Sequence, residues 1–197
     1  MDSEQRRGEP GDGVVVGVLA VQGDFEAHIK ILRALGAAPR EVRTVQELGG
    51  LDALILPGGE STAITLGLER DGMAEPLRSR VREGLPVLGT CAGMILMDRA
   101  HLGLMDIDTR RNAFGRQLRS FESDVGIAEL GEARVRGVFI RAPWVERCGP
   151  GVEVLAELDG HPVAVREGRR IAVAFHPELA GETRVHGLLV GMAAAAC

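Results

Sequence analysis

Apolar positions fall in short continuous blocks in the first half of the chain and in closely spaced runs in the second. Residues 14–21 form a continuous apolar run, the pattern of a parallel strand buried on both faces. Residues 53–56 form a second such block, closed by Pro57-Gly58-Gly59, and residues 86–88 a third. Between the blocks, Phe25, Ile29 and Leu32 recur at helical spacing, with Gly36 as a stop. Residues 62–68 and 73–82 read as helices broken by Gly72 and Gly84. This alternation predicts an α/β fold: three layers, a mostly parallel central sheet flanked by helices.

The second half predicts an added antiparallel region. Strand candidates cover 104–109, 133–140, 152–158, 163–166 and 171–175. The short gap Leu158-Asp159-Gly160-His161 favours a hairpin. A closing helix is expected over 184–196, with Val185, Leu188, Leu189 and Met192 on one face. Residues 1–13 are polar and carry no apolar block, so a flexible tail is expected there and a single domain over 14–197.

The segment Gly89-Thr90-Cys91-Ala92-Gly93 joins the third apolar block to the apolar run Met94-Ile95-Leu96-Met97. A strand that turns abruptly into a helix, with cysteine at the tip and glycines on either side, has the layout of a nucleophile elbow. The helix N-terminus behind it favours a thiolate. Taken alone, the same five residues also fit a buried structural cysteine. A cysteine nucleophile needs a base and the base an orienting group. Of five histidines, His176 has the best context, at the exit of the strand expected over 171–175. Glu178 stands two residues on, and in extended backbone positions i and i+2 share a side. His28, His101, His161 and His186 read as structural or solvent-exposed.

Pro57-Gly58-Gly59-Glu60-Ser61-Thr62 follows a buried strand and precedes a helix, placing its amides over the same sheet edge as Cys91. The amides of Gly59 and Ala92 are candidates for an oxyanion site. The competing phosphate reading lacks both the GxxxxGK[ST] pattern and a lysine. Arg110-Arg111-Asn112 and Ile140-Arg141-Ala142-Pro143 offer guanidinium groups for a substrate carboxylate, or ordinary solvated charge.

Composition narrows the chemistry. A net charge of -5 and only six Trp and Phe residues argue against nucleic acid and anionic membranes. Three widely separated cysteines make no disulfide framework, and no Cys/His spacing suits zinc, so neither a metal nor another cofactor is expected. Lys30 is the only lysine, in a surface-patterned helix, which disfavours amine catalysis. No apolar segment is long enough to span a bilayer, and a cytoplasmic protein is expected.

These segments, in this order, resemble class I glutamine amidotransferases, a flavodoxin-like family with a Cys-His-Glu triad. The similarity narrows to the glutaminase subunits of pyridoxal 5'-phosphate synthase. It rests on residues 17–23 (GVLAVQG), 54–62 (LILPGGEST), 89–93 (GTCAG), 111–117 (RNAFGRQ), 138–143 (VFIRAP) and 175–179 (FHPEL). The resemblance implies Cys91 as nucleophile, His176 as base and acid, and Glu178 as its orienter. It also implies glutamine contacts from Gly59, Glu60, Ser61, Arg111, Ile140 and Arg141. The implied reaction is hydrolysis of L-glutamine to L-glutamate and ammonia. The ammonia would pass to a synthase subunit in a large hetero-oligomer that makes pyridoxal 5'-phosphate. One departure is Asp98-Arg99-Ala100-His101, shorter than is usual in this family. Two competitors are a glutaminase serving another synthase, and a non-enzymatic binding or redox module on the same fold.

Overall fold

The computed structural model describes residues 13–115 and 120–195. The expected tail, up to residue 12, lies outside them, as do Arg116, Gln117 and the last two residues. The chain opens with strand β1 (Val15–Leu19), helix α1 (Phe25–Ala34), strand β2 (Ala38–Val42) and strand β3 (Ala53–Leu56). Helices α2 (Ser61–Arg70) and α3 (Ala74–Arg82) lead to strand β4 (Val87–Thr90) and helix α4 (Ala92–Met97). Seven strands follow: β5 (Ile107–Arg110), β6 (Ser120–Val125), β7 (Val135–Ile140), β8 (Trp144–Cys148), β9 (Glu153–Leu158), β10 (His161–Glu167) and β11 (Arg170–Val173). Helix α5 (Arg184–Ala194) closes the fold.

Seven strands form one sheet in the order β2-β1-β3-β4-β11-β10-β9. The first five are parallel, and β10 and β9 complete one edge antiparallel. The order 2-1-3-4-5 of the parallel part is that of flavodoxin-like sheets. The crossover from β1 to β2 runs one way along the sheet and that from β3 to β4 the other. Right-handed connections therefore place α1 and α2 on opposite faces. α5 joins α1, the two touching through His28 and His186, and α4 packs with α2. The expected three layers and antiparallel addition are both present. β5 pairs with β8 and β6 with β7 in two separate ribbons.

Burial explains which strands were legible. β3 and β4 are buried at every position, so their sequences are apolar blocks. β2, β6 and β8 escape the pattern. β2 is an edge strand with one buried residue and a proline, and β6 shows mainly polar or half-buried side chains. The hairpin between β9 and β10 turns on Asp159 (φ 52°) and Gly160 (φ 77°), the mirror-image turn that suits strand twist. The buried stripe of α5 differs from the expected one. It is Val185, His186, Leu189, Val190 and Ala193, while Leu188 and Met192 are only partly buried.

Candidate active site

The parallel sheet delivers three segments to one edge. β4 ends at Thr90, and Cys91 then takes φ 49° and ψ -106° before α4 begins at Ala92. A non-glycine residue in that region is strained and persists only where its surroundings over-determine it. Here the cause is close packing of α4 on the sheet. A Cβ on Gly93 would collide with the Leu56 carbonyl, and one on Gly89 would come within 2.7 Å of the Gly93 backbone. Glycine at both positions lets helix and strand approach, and the turn between them forces Cys91 outward. The Cys91 thiol is 3.7 Å from the Ile140 carbonyl.

β11 runs between β4 and β10 and delivers His176, whose N–H donates to the Val138 carbonyl at 2.8 Å. His176 Nδ1 and Glu178 Oε1 are 2.6 Å apart. The expected pairing is present, but extended backbone is not its cause. Pro177 is in the right-handed helical region and Glu178 opens a short 3-10 turn, Glu178–Ala180, which folds the carboxylate back under the ring. The histidine and the glutamate are each less than 8% exposed. Burial alone would push the imidazole down, but hydrogen bonds to Cys91 and Glu178, with their charges, hold it up at about 10. Nδ1 is committed to Glu178, so Nε2 is the nitrogen left for the cysteine side.

The third segment leaves β3. A Cβ on Gly58 would strike the His176 ring, so glycine is what lets this loop pass over the imidazole. Gly59 has φ 149° and is exposed, the second position where glycine is required. Glu60 is the N-cap of α2, its carboxylate accepting from the Thr62 and Ala63 amides at 3.1 and 2.8 Å. Those two bonds hold the carboxylate below its ordinary range. Arg111 reaches the same carboxylate and the Thr62 hydroxyl, each at 3.2 Å. Ser61 is buried, and its hydroxyl has no hydrogen-bond partner among the described residues.

Gly58, Gly59, Glu60, Ser61, Cys91, Ala92, Arg111, Ile140, Arg141 and His176 surround one open cavity of about 500 Å³, a size ordinary for small-molecule sites. Of the triad and glutamine-contact residues expected from the sequence, all touch it except Glu178, which lies behind His176. Of four non-glycine residues with positive φ among the described residues, three line this cavity: Cys91, Asn112 and Arg141. Strain concentrates at the site. Arg110 does not belong to it; it lies over the Trp144 ring and pairs with Glu146.

Sequence reasoning missed several residues. Asp24, Ile95, Asn112 and Leu179 also line the cavity. Asp24 follows β1 at the point where strand order reverses, so the switch-point rule is the signal that finds it. For His28 and His186 the structural alternative holds. Neither is solvent-exposed: both are fully buried, and His28 lies 3.6 Å from Glu178. His101 pairs with Asp98 and His161 stacks on Trp144, both away from the cavity. No group of three or more metal-ligating side chains occurs among the described residues.

A cysteine at a strained elbow, an imidazole held by a buried carboxylate and backbone amides around one cavity are the parts needed to attack a carbonyl carbon. Comparison with known proteins agrees with that geometry. The model of the SNO glutamine amidotransferase family matches residues 18–195. A pyridoxal 5'-phosphate synthase subunit PdxT from Mycolicibacterium vanbaalenii is 54% identical over 187 residues, covering 89% of this chain and 95% of the relative. The PdxT subunit of Streptomyces avermitilis is 53% identical over 187 residues, covering 90% and 93%. A crystal structure described as a glutamine amidotransferase superposes with a TM-score of 0.84 at 46% identity, covering 90% of this chain and 98% of that one. PurLQS from Thermotoga maritima shares the fold, at TM-score 0.67 and 18% identity, over 93% of this chain and 96% of that one. With its elbow, its Cys-His-Glu geometry and these relatives along nearly its whole length, the chain belongs to the SNO glutamine amidotransferase family.

Proposed function

We propose that this chain is the glutaminase subunit of a pyridoxal 5'-phosphate synthase. Cys91 attacks the side-chain carbonyl carbon of L-glutamine as a thiolate, its proton already resting on His176 Nε2 in a thiolate–imidazolium pair. The oxyanion rests on the amides of Gly59 and Ala92; Ala92 opens α4, where N–H groups lack intrahelical acceptors. His176 then protonates the departing nitrogen, and ammonia leaves a glutamyl thioester on Cys91. Water adds to the thioester, its proton returns through His176, and glutamate is released. Glu178 holds the imidazole by Nδ1 throughout.

Glutamine itself is held at the rim. Arg111 and Arg141 face its α-carboxylate, the buried Ser61 hydroxyl has a donor and acceptor to offer, and the Ile140 carbonyl suits its ammonium. The observation that carries the reading is the convergence of Cys91 and His176 on one cavity with Glu178 at 2.6 Å behind the ring. Residues 14–197 act as one amidotransferase domain, consistent with one seven-stranded sheet and one core among the described residues.

Ammonia protonates readily in water, so its release is productive only beside an acceptor enzyme. The partner is a synthase subunit in a large hetero-oligomer, and it carries any imine chemistry, since this chain has a single lysine on the exposed side of α1. Docking reorients the Gly58–Gly59 peptide, so the isolated subunit turns over slowly. The site is cytoplasmic, in keeping with the absence, among the described residues, of a helix long and apolar enough to cross a membrane.

The test is Cys91→Ala in the complex. Glutamate release and glutamine-dependent pyridoxal 5'-phosphate formation are expected to fall to background, with thermal stability nearly unchanged. Retained glutamate release would overturn the reading. A glutamine analogue that labels His176-bearing wild-type protein anywhere but Cys91 would overturn it as well.

A further inference from the structure

Three histidines converge behind the elbow, and only one of them faces the cavity. His28 on α1 and His186 on α5 are fully buried and meet at 2.8 Å, Nδ1 to Nε2. The far edge of the His28 ring points at the reactive segments. Its Nε2 is 3.3 Å from Thr90 Oγ1 and 3.6 Å from Glu178 Oε1. Thr90 precedes Cys91, and Glu178 is the carboxylate against His176. One imidazole therefore touches both strand-end segments that the reaction needs aligned. Glu178 Oε2 has no hydrogen-bond partner among the described residues, so polar support for this buried carboxylate converges on Oε1.

We propose that His28 is a positioning residue for the Cys91–His176–Glu178 set: a neutral imidazole, backed by His186, whose Nε2–H faces Glu178 and Thr90 and keeps the carboxylate turned toward His176. This rests on, and deepens, the glutaminase reading above. Neutrality is what suits it to the place. A cation at 3.6 Å would compete with the His176 imidazolium for the same oxygen. A neutral N–H offers a dipole without cancelling the charge. At that distance the contact is longer than a full hydrogen bond, so His176, at 2.6 Å, keeps the carboxylate. Burial, and then the neighbouring His186 and His176, hold His28 well below the ordinary histidine range.

The tautomers interlock. With the His28 proton on Nε2, its Nδ1 is an acceptor and His186 must donate from its own Nε2. His186 Nδ1 is then a bare lone pair, and that atom has no hydrogen-bond partner among the described residues. Burial pushes His186 down to about 4; the Glu182 carbonyl and charge oppose that shift but make no bond of acceptable geometry to Nδ1.

The experiment compares wild type, His28→Leu, His28→Gln and His186→Phe in complex with the synthase. His28→Leu is expected to lower kcat roughly tenfold or more, with KM within about twofold, as loss of an outer partner to a catalytic group does. His28→Gln, which keeps an N–H near the Nε2 position, is expected to recover most of the loss. Proton NMR should show the low-field resonance of the His176–Glu178 hydrogen bond moving in His28→Leu and returning in His28→Gln. In the wild type, 15N shifts should place the His28 proton on Nε2, and His186→Phe should disturb that preference. A folded His28→Leu with unchanged kcat and resonance overturns the proposal, as does a His28 proton on Nδ1. If His28→Leu does not fold, the wild-type tautomer and its response in His186→Phe decide the matter. Wild-type glutamine hydrolysis and analogue labelling of Cys91 are the control: their failure removes the glutaminase reading itself, whereas success with unaffected variants removes only the role of His28.

Discussion

The two walls of the cavity are built differently. The wall that bears Cys91 and His176 is dry: both are less than 8% exposed, and behind them stand Glu178, His28 and His186, all buried. The opposite wall is wet. Glu60, Arg111, Asn112 and Arg141 are exposed, and the Glu60–Arg111 pair is about half open to solvent on each side. A buried network fixes geometry because misaligned polar groups there are costly. Exposed ion pairs hold little, typically less than about 1 kcal/mol. The difference assigns tasks. Under the proposed mechanism, the dry wall is preorganised for bond making, and the wet wall can rearrange around glutamine or in response to a docked partner at the cost of weak contacts and strained loops.

The largest effect that tests this contrast is on the dry wall. Glu178→Gln is expected to reduce kcat by roughly 10²- to 10⁴-fold, by analogy with carboxylate-to-amide changes in other triads. It should also bring the His176 imidazole down from about 10, since one of its charge partners is gone. Steady-state kinetics with an NMR titration of His176 would check both. An effect confined to KM would break the contrast.

Arg111→Ala is expected to act next most strongly and in the other parameter. KM for glutamine should rise roughly 10- to 100-fold with a smaller change in kcat, as for loss of a charged hydrogen bond to a carboxylate. Stability should change little, because Glu60 keeps its two amide donors. A fall in kcat alone would place Arg111 with the reacting groups instead.

The pH dependence of stability follows from the buried histidines and has opposite signs for two of them. His186 sits near 4 when folded against 6.5 in its ordinary state. The unfolded chain therefore binds a proton that the folded one refuses. Its contribution is complete above pH 6.5 and is lost as pH falls toward 4, at up to roughly 1.4 kcal/mol per pH unit. His176, raised to about 10, behaves inversely: its contribution is complete below pH 6.5 and lost as pH rises toward 10. Denaturant titrations between pH 4 and pH 10 should show both flanks. His186→Phe should make the acid flank shallower, leaving the share that the buried His28 contributes, and leave the alkaline one in place.

The smallest effect is expected on the wet wall. Glu60→Gln weakens the cap of α2 and one exposed ion pair, so only a slight fall in Tm is expected. A calorimetric shift several times larger would mean that the rim is as tightly built as the opposite wall.

The sequence by itself determined the alternation of buried strands and helices, the elbow at Cys91 and the glycine-rich loop at Gly58–Gly59. Each is a local pattern, because a strand buried on both faces must be apolar and a close strand–helix approach must be glycine. Tertiary structure decided the rest. β2, at the sheet's edge, and β6 and β8, in two-stranded ribbons, have mostly exposed or half-buried side chains, so no apolar block marks them in the sequence. The His176–Glu178 contact depends on a 3-10 turn that a two-residue spacing does not specify. His28 and His186 stand 158 residues apart, and nothing local distinguishes either from a surface histidine. Only the packing of α1 and α5 on one face of the sheet brings the two rings together behind Glu178, and a contact made by two separate elements leaves no mark in the sequence of either.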